Sequence, residues 1–316
     1  MKKVVVTGAS GFVGRSVVAA LRLRGYEVHG VARGPANDVE IDAWHPTDLL
    51  DPVATRELMG TIRASHLVHL AWTTAHGRFW SDPDNLAWSR ATLALAEAFA
   101  DAGGARAVMS GTCAQYGWDA TTTGVFPETG ERRPQTLYGI SKQSTSDLLQ
   151  AWSAEVGLSF ATGLLFFPYG PYENPDRLVP SVTRSLLGGR RAEVRSGARV
   201  ADFIYVEDCG AALAALLDSD VAGSVNIGTG QGIPVADVAN AIAAALGRED
   251  LVQVVAPGTE PPIVADVTRL LGEVGFSARY ELARGVRETI EWWRSQELTG
   301  SAAGSRPARQ SGEPFR

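Results

Sequence analysis

The chain has 316 residues, 45% of them hydrophobic and 20% charged, enough to bury one large core or to fill two lobes of a globular protein. Its formal charge of -6 is offset by no basic stripe, which argues against a nucleic-acid partner. No apolar run approaches the ~20 residues that span a membrane.

The first apolar run, Val4-Val5-Val6, stops at Thr7-Gly8. It falls short of the ~7–15 apolar residues of a secretion signal and predicts a strand. Cys113 and Cys209 are too few for a disulfide framework. These features together point to the cytoplasm. A helical pattern from about Gly14 to Arg24 follows, then a second strand, Val28–Val31. Further strands are expected at Leu67–Ala71 and Ala105–Met109, on either side of a helix over Leu86–Ala102. A long helix is expected from Tyr138 to Val156, with Phe160–Phe167 as the next strand. This rhythm means βαβ units, hence an α/β fold with a parallel sheet covered on both faces.

The second half is less regular. Pro168, Pro171, Pro175 and Pro180 punctuate it before a helix near Ser181–Leu187. Ile204–Val206 and Ser224–Ile227 are strand-like, and Glu207–Leu217, Val235–Leu246 and Val286–Arg294 helical. Residues 1–167 are expected to form the dinucleotide-binding domain, rejoined by segments near 203–230. Residues 168–295 would make a smaller lobe, and 298–316, polar and rich in Gly, Ser and Pro, a disordered tail.

Directly after the first strand comes Thr7-Gly8-Ala9-Ser10-Gly11-Phe12-Val13-Gly14. Glycines at 8, 11 and 14 allow a tight turn and a close backbone approach to a pyrophosphate at a helix amino terminus. At the end of the second strand, where a carboxylate would bind a ribose 2′-hydroxyl, the chain has Ala32-Arg33. Arg33, with Arg15 as a second clamp, suits a 2′-phosphate, so NADP(H) is the favoured cofactor and NAD a possible one.

Tyr138-Gly139-Ile140-Ser141-Lys142 places a phenol and an ammonium one turn apart on one helix face. A free tyrosine, with a pKa near ~10, is a poor base at neutral pH, and a neighbouring cation would favour its phenolate. Met109–Gly117 ends a strand of the sheet and offers a hydroxyl, Ser110 or Thr112, to polarise a substrate oxygen.

With TGASGFVG, His69-Leu70-Ala71, SGTCAQYG, Tyr138–Lys142, Tyr169-Gly170-Pro171, Asp202–Asp208 and Asn226–Gly230 falling in order, the chain resembles the extended short-chain dehydrogenase/reductase family, in its nucleotide-sugar epimerase, dehydratase and reductase branch. The resemblance spans residues 1 to about 295. It implies a Rossmann-type doubly wound parallel sheet with a smaller C-terminal substrate lobe. It also implies a homodimer through the helices near Leu86–Ala102 and Tyr138–Val156. Aligned on Tyr116-Gly117, the family's catalytic hydroxyl falls on Thr112, with Tyr138 as acid/base and Lys142 as its partner. Gly8, Ser10, Gly11, Phe12, Val13, Gly14, Leu70 and Ala71, together with Tyr138 and Lys142, would line the dinucleotide.

Three departures narrow the activity. The Asp-Glu pair with which the family's dehydratases eliminate water is Cys113-Ala114 here, the arginine of the R-D-F motif is Ala201, and a substrate-binding asparagine is Phe167. Arg177, Arg195 or Arg199 could hold a diphosphate in place of that arginine and asparagine. In the aromatic loop Trp72–Trp80, Trp72 is a candidate for stacking on a sugar. No His, Cys or carboxylate cluster has metal-site spacing. The expected activity is NADP(H)-dependent reduction of a 4-keto sugar nucleotide. The alternatives are a 4-epimerase holding NAD tightly, a reductase of a non-sugar ketone, and a catalytically silent dinucleotide sensor.

Overall fold

A computed structural model describes residues 2–34, 38–73, 75–118, 124–255 and 261–300. The first strands and helices alternate: β1 (Lys3–Thr7), α1 (Phe12–Leu23), β2 (Glu27–Ala32), β3 (Ala43–Pro46), α2 (Pro52–Ile62), β4 (His66–His69), α3 (Asp84–Asp101) and β5 (Arg106–Thr112). Helix α4 (Leu137–Val156) and strands Ser159–Leu165 and Gly223–Ile227 complete a seven-stranded sheet. Its order is Gly223–Ile227, Ser159–Leu165, β5, β4, β1, β2, β3, and every pairing is parallel. This is the parallel sheet that the alternation predicts, in the Rossmann-type doubly wound form that the resemblance implies. The strand order reverses at β1, so a crevice opens beyond the carboxyl ends of β1 and β4, where such sheets bind ligands.

Strand β1 shows how one short sequence supplies two cores. Successive side chains point to opposite faces. Val4 and Val6 pack with Val17 and Leu21 of α1 and with Leu213 and Leu217 of α6 (Val206–Asp218). Val5 packs on the other face with Leu95 and Phe99 of α3 and Leu149 of α4. A third core lies among α5 (Leu178–Leu187), α7 (Val235–Leu246) and the last helix, Leu282–Gly300. There Val179 and Leu186 meet Val238, Ile242, Val286 and Ile290.

Several boundaries differ from the sequence reading. That reading has no element between residues 35 and 65, yet β3 and α2 lie there. The signal for α2 is local: Asp51 caps it, accepting from the amides of Val53 and Ala54 at 2.9 and 3.2 Å, and Pro52 occupies the first turn. The strand expected over Phe160–Phe167 divides. The Phe166 amide still donates to Ile227 in the main sheet, but that of Phe167 donates to Asp202, and Phe167–Tyr169 pairs with Phe203–Tyr205. The chain thus leaves the sheet through Phe166-Phe167. Helix α5 begins at Leu178 and holds Pro180 in its first turn, where a missing N–H costs nothing. Leu298–Gly300, expected in the tail, continues the last helix, and residues 301–316 lie outside the described residues. No helix among the described residues is long and apolar enough to cross a membrane.

Candidate active site

The glycine loop joins β1 to α1 at the strand-order reversal. Gly8 has a φ of 68°, a conformation L-residues rarely adopt. A Cβ at Gly14 would stand 2.1 Å from the Gly8 carbonyl oxygen, so only glycine lets α1 start this close to the loop. The first turn of α1 has no side-chain cap and no acidic residue. Its free amides at Phe12, Val13 and Gly14 therefore face the crevice with the helix's positive end. Ser10 and Gly11 complete the loop, with the Gly11 amide donating to Gly8.

The opposite wall is held by Thr7. Its hydroxyl accepts from the amides of Leu70 and Ala71 at 3.1 and 3.3 Å. Its own proton therefore goes to Nδ1 of His69 at 2.7 Å, leaving Nε2–H of His69 to donate to Thr92 at 2.9 Å. Burial pushes the His69 pKa down to about 3, so the imidazole stays neutral. The loop, the free helix amides and this rigid wall form a cradle that fits a dinucleotide pyrophosphate.

At the expected 2′ edge the two arginines differ. Arg33 stands exposed past β2. Arg15 is already engaged: its Nη1 lies 2.7 Å from the Asp38 carboxylate, its Nε donates to the Ser10 carbonyl, and its guanidinium lies 4.0 Å from the centre of the Tyr172 ring. Asp38 is the carboxylate that reading the end of β2 misses, because it lies beyond the strand and reaches back to α1.

Thr112, Tyr138 and Lys142 come together at the carboxyl end of β5. Thr112 is the last residue of β5 and caps a short turn, its hydroxyl accepting from the Ala114 amide at 3.2 Å. Gln115 closes the box. Its Oε1 accepts from the Thr112 amide and its Nε2 donates to Gln143 of α4, both at 2.9 Å. The T-x-x-Q spacing is the sequence signal for this capping box. Thr136 caps α4, accepting from the Gly139 amide at 3.1 Å, which puts Tyr138 in the first turn and Lys142 one turn on. The Thr112 hydroxyl stands near enough to the Tyr138 phenol to favour its ionisation.

The electrostatics depart from the expected tyrosine–lysine couple. Burial pushes the Tyr138 phenol up to about 12, and the Thr112 hydroxyl and the Arg177 charge oppose that rise. Lys142 is not among the groups acting on it. Its ammonium instead donates to the Ser110 carbonyl at 2.9 Å and lies 4.0 Å from the centre of the Trp72 ring. Burial brings its pKa down to about 7. Ser110 thus contributes its carbonyl rather than its hydroxyl.

Trp72, the candidate for stacking on a sugar, packs inward beside Lys142. It is buried, and its Nε1 donates to Asn85 of α3 at 2.8 Å. The loop's other aromatics turn to the tyrosine: Phe79 and Trp80 stand edge-on to the Tyr138 ring at 5.0 and 5.8 Å. The Trp80 carbonyl accepts from the Tyr138 amide at 3.1 Å. Trp80 meets Trp118, and Trp118 meets Phe167. Cys113 is buried, its thiol pushed up to about 12, so it offers neither acid nor base at neutral pH.

Of the expected substrate arginines, Arg177 and Arg199 lie near enough to Cys113 to act on its ionisation. Arg177 directly precedes α5 and pairs at 3.1 Å with Glu173, a buried carboxylate that no sequence motif marks. The Arg199 guanidinium lies 5.4 Å from the centre of the Trp118 ring. Ala201, two residues on, is buried, whereas Arg195 is exposed. Among the described residues no group of three His, Cys or acidic side chains is placed to hold a metal ion.

A family model described as the NAD dependent epimerase/dehydratase family matches residues 4–228. A dTDP-glucose 4,6-dehydratase of Streptomyces niveus is 27% identical over 318 residues, covering 92% of this chain and 93% of the relative. Among solved structures, a UDP-glucose 4-epimerase of Thermus thermophilus in complex with NAD superposes with a TM-score of 0.82 at 27% identity, over 92% of this chain and 99% of that one. MoeE5 in complex with UDP-glucuronic acid and NAD superposes with a TM-score of 0.81 at 30% identity, over 93% and 99%.

Proposed function

The chain belongs to the NAD dependent epimerase/dehydratase family, enzymes of the extended short-chain dehydrogenase type, and from that premise we propose that it is an NADPH-dependent reductase of a 4-keto nucleotide sugar. The observation that carries the reading is a complete Thr112–Tyr138–Lys142 set beside a turn that holds Cys113 and Ala114 instead of an acid and a base. The site can move a proton at a carbonyl oxygen but has no pair to eliminate water. Nucleotide-sugar substrates are inferred from the relatives, and the cofactor's 2′-phosphate from Arg33, exposed at the end of β2.

A bound nicotinamide supplies the hydride. The protein's part is the oxygen. Tyr138, protonated throughout the neutral range, gives its phenolic proton to the carbonyl oxygen as charge develops there. Thr112 hydrogen-bonds the resulting phenolate, and Lys142 adds a positive charge on the ribose side. Arg177 and Arg199 receive the substrate's diphosphate, since Ala201 and Phe167 have no group to bind it. The protein is proposed to act in the cytoplasm as a homodimer. Leu86 of α3 and Ile140 and Leu148 of α4 are exposed on the helices that would pair.

Arg15, engaged by Asp38, favours a second reading: a 4-epimerase that keeps NAD. The two separate on purified protein. Release of bound dinucleotide and NADPH oxidation against keto-sugar nucleotides are measured together. Stoichiometric NADPH consumption, abolished ~10²–10⁴-fold in Tyr138→Phe, is expected of the reductase. Tightly held NAD with no net oxidation would sink that reading and promote the epimerase.

A further inference from the structure

The chain has three lysines, Lys2, Lys3 and Lys142, and Lys142 is enclosed, 2% exposed. A buried ammonium is costly unless something compensates it, and no carboxylate among the described residues pairs with this one. Strand β4 brings His69, whose imidazole is neutral, β5 brings the Ser110 carbonyl, and α4 brings the un-ionised phenol of Tyr138 one turn earlier. Beside them stands Trp72, with the ammonium 4.0 Å from the centre of its ring.

That indole is fixed in place. Its Nε1 donates to Asn85 Oδ1 at 2.8 Å. Asn85 is wholly buried, and its amide donates to the carbonyls of Phe79 and Asp82 at 2.8 Å each. Asn85 thus ties the Phe79 and Asp82 carbonyls to the indole whose face is presented to Lys142.

We propose that Trp72 is a positioning residue for Lys142: its indole face stands where a counter-ion would, keeping the ammonium charged and in place before a ligand arrives. The inference rests on the catalytic reading of Lys142 given above. Of the three N–H bonds of the ammonium, one goes to Ser110 and one is directed at the ring, which leaves one for an incoming hydroxyl. A carboxylate in this position would compete for those donors and repel the phenolate that forms on Tyr138. A π face attracts the cation and does neither.

The lysine titration tests this without substrate or turnover, so a failed reductase assay leaves it standing, and the reverse. The full chain is labelled with lysine carrying 13C at Cε and followed by NMR from pH 5 to 10, where three signals are expected. The Lys142 signal is assigned by its absence in Lys142→Arg. In the wild type it should lie upfield of Lys2 and Lys3 through the indole ring current. Trp72→Leu should lower the Lys142 midpoint by about one unit, a tenfold loss of the charged form's stability, and Trp72→Phe, which keeps an aromatic face, by less. An unchanged midpoint in Trp72→Leu overturns the proposal. If that variant fails to fold, a wild-type Lys142 signal without the upfield displacement overturns it equally.

Discussion

Gly139 of α4 lies against the carbonyl of Ala114: a Cβ at position 139 would stand 2.5 Å from that oxygen. This close approach lets the helix bearing Tyr138 reach the turn bearing Thr112. The Gln115–Gln143 hydrogen bond ties the same two elements together.

Gly139→Ala should therefore push α4 off the turn. Overpacking of this kind costs ~1–3 kcal/mol, and misplacement of a catalytic group by about 1 Å costs ~100-fold in rate. The expected outcome is a turnover loss of at least about tenfold with a smaller loss of dinucleotide affinity, because the glycine loop belongs to β1 and α1 rather than to α4. Steady-state kinetics and a fluorescence titration with NADPH check it. A variant with wild-type turnover would mean that the turn yields instead of the helix.

Cofactor choice should depend on Asp38 and Arg33 in opposite directions. Asp38→Asn frees Arg15 and removes a carboxylate from the 2′ edge, and should tighten NADPH about tenfold relative to NADH. Arg33→Asp should weaken NADPH by at least a similar factor and spare NADH. Dissociation constants for both dinucleotides settle it, and an Arg33→Asp protein that still prefers NADPH would remove Arg33 from the site.

Lys142 makes stability rise with pH. Its pKa is about 7 in the folded protein against an ordinary 10.5, so between those values the unfolded chain binds the extra proton and unfolding becomes harder as pH increases. Below pH 7 the burial penalty is present in full. Lys142→Met should raise the unfolding free energy at pH 6 by ~2 kcal/mol or more and flatten the slope above pH 7. Urea unfolding at pH 6 and 9 provides the comparison.

Glu173 acts with the opposite sign. Burial pushes its carboxyl from 4.5 up to about 7, against the pull of Arg177, and its Oε2 is buried without a hydrogen-bond partner. The folded protein keeps the proton that the unfolded chain has lost, so stability falls as pH climbs from about 4.5 to 7 and stays low above. Glu173→Gln should gain ~1–3 kcal/mol at pH 8 and nothing at pH 4.5. Equal gains at both pH values would show that ionisation is not the cause.

What the sequence determined by itself is what local spacing encodes. Gly8, Gly11 and Gly14 follow the first strand because a tight turn must precede the helix, and the four-residue interval fixes Tyr138 and Lys142 on one face. Alternating strands and helices likewise dictate a parallel sheet, and so the end at which the site opens. Asp51-Pro52 announces α2 just as locally. What only the tertiary structure decided is which partners those side chains meet. Lys142 meets Ser110 and Trp72, from β5 and the loop after β4, rather than the phenol one turn away. Arg15 meets Asp38, 23 residues on, and the Arg177 charge acts on Tyr138 from the start of α5. Side-chain periodicity reports direction from an element's own axis. The charge, burial and hydrogen-bond partner waiting in that direction belong to other elements, and only packing brings them there.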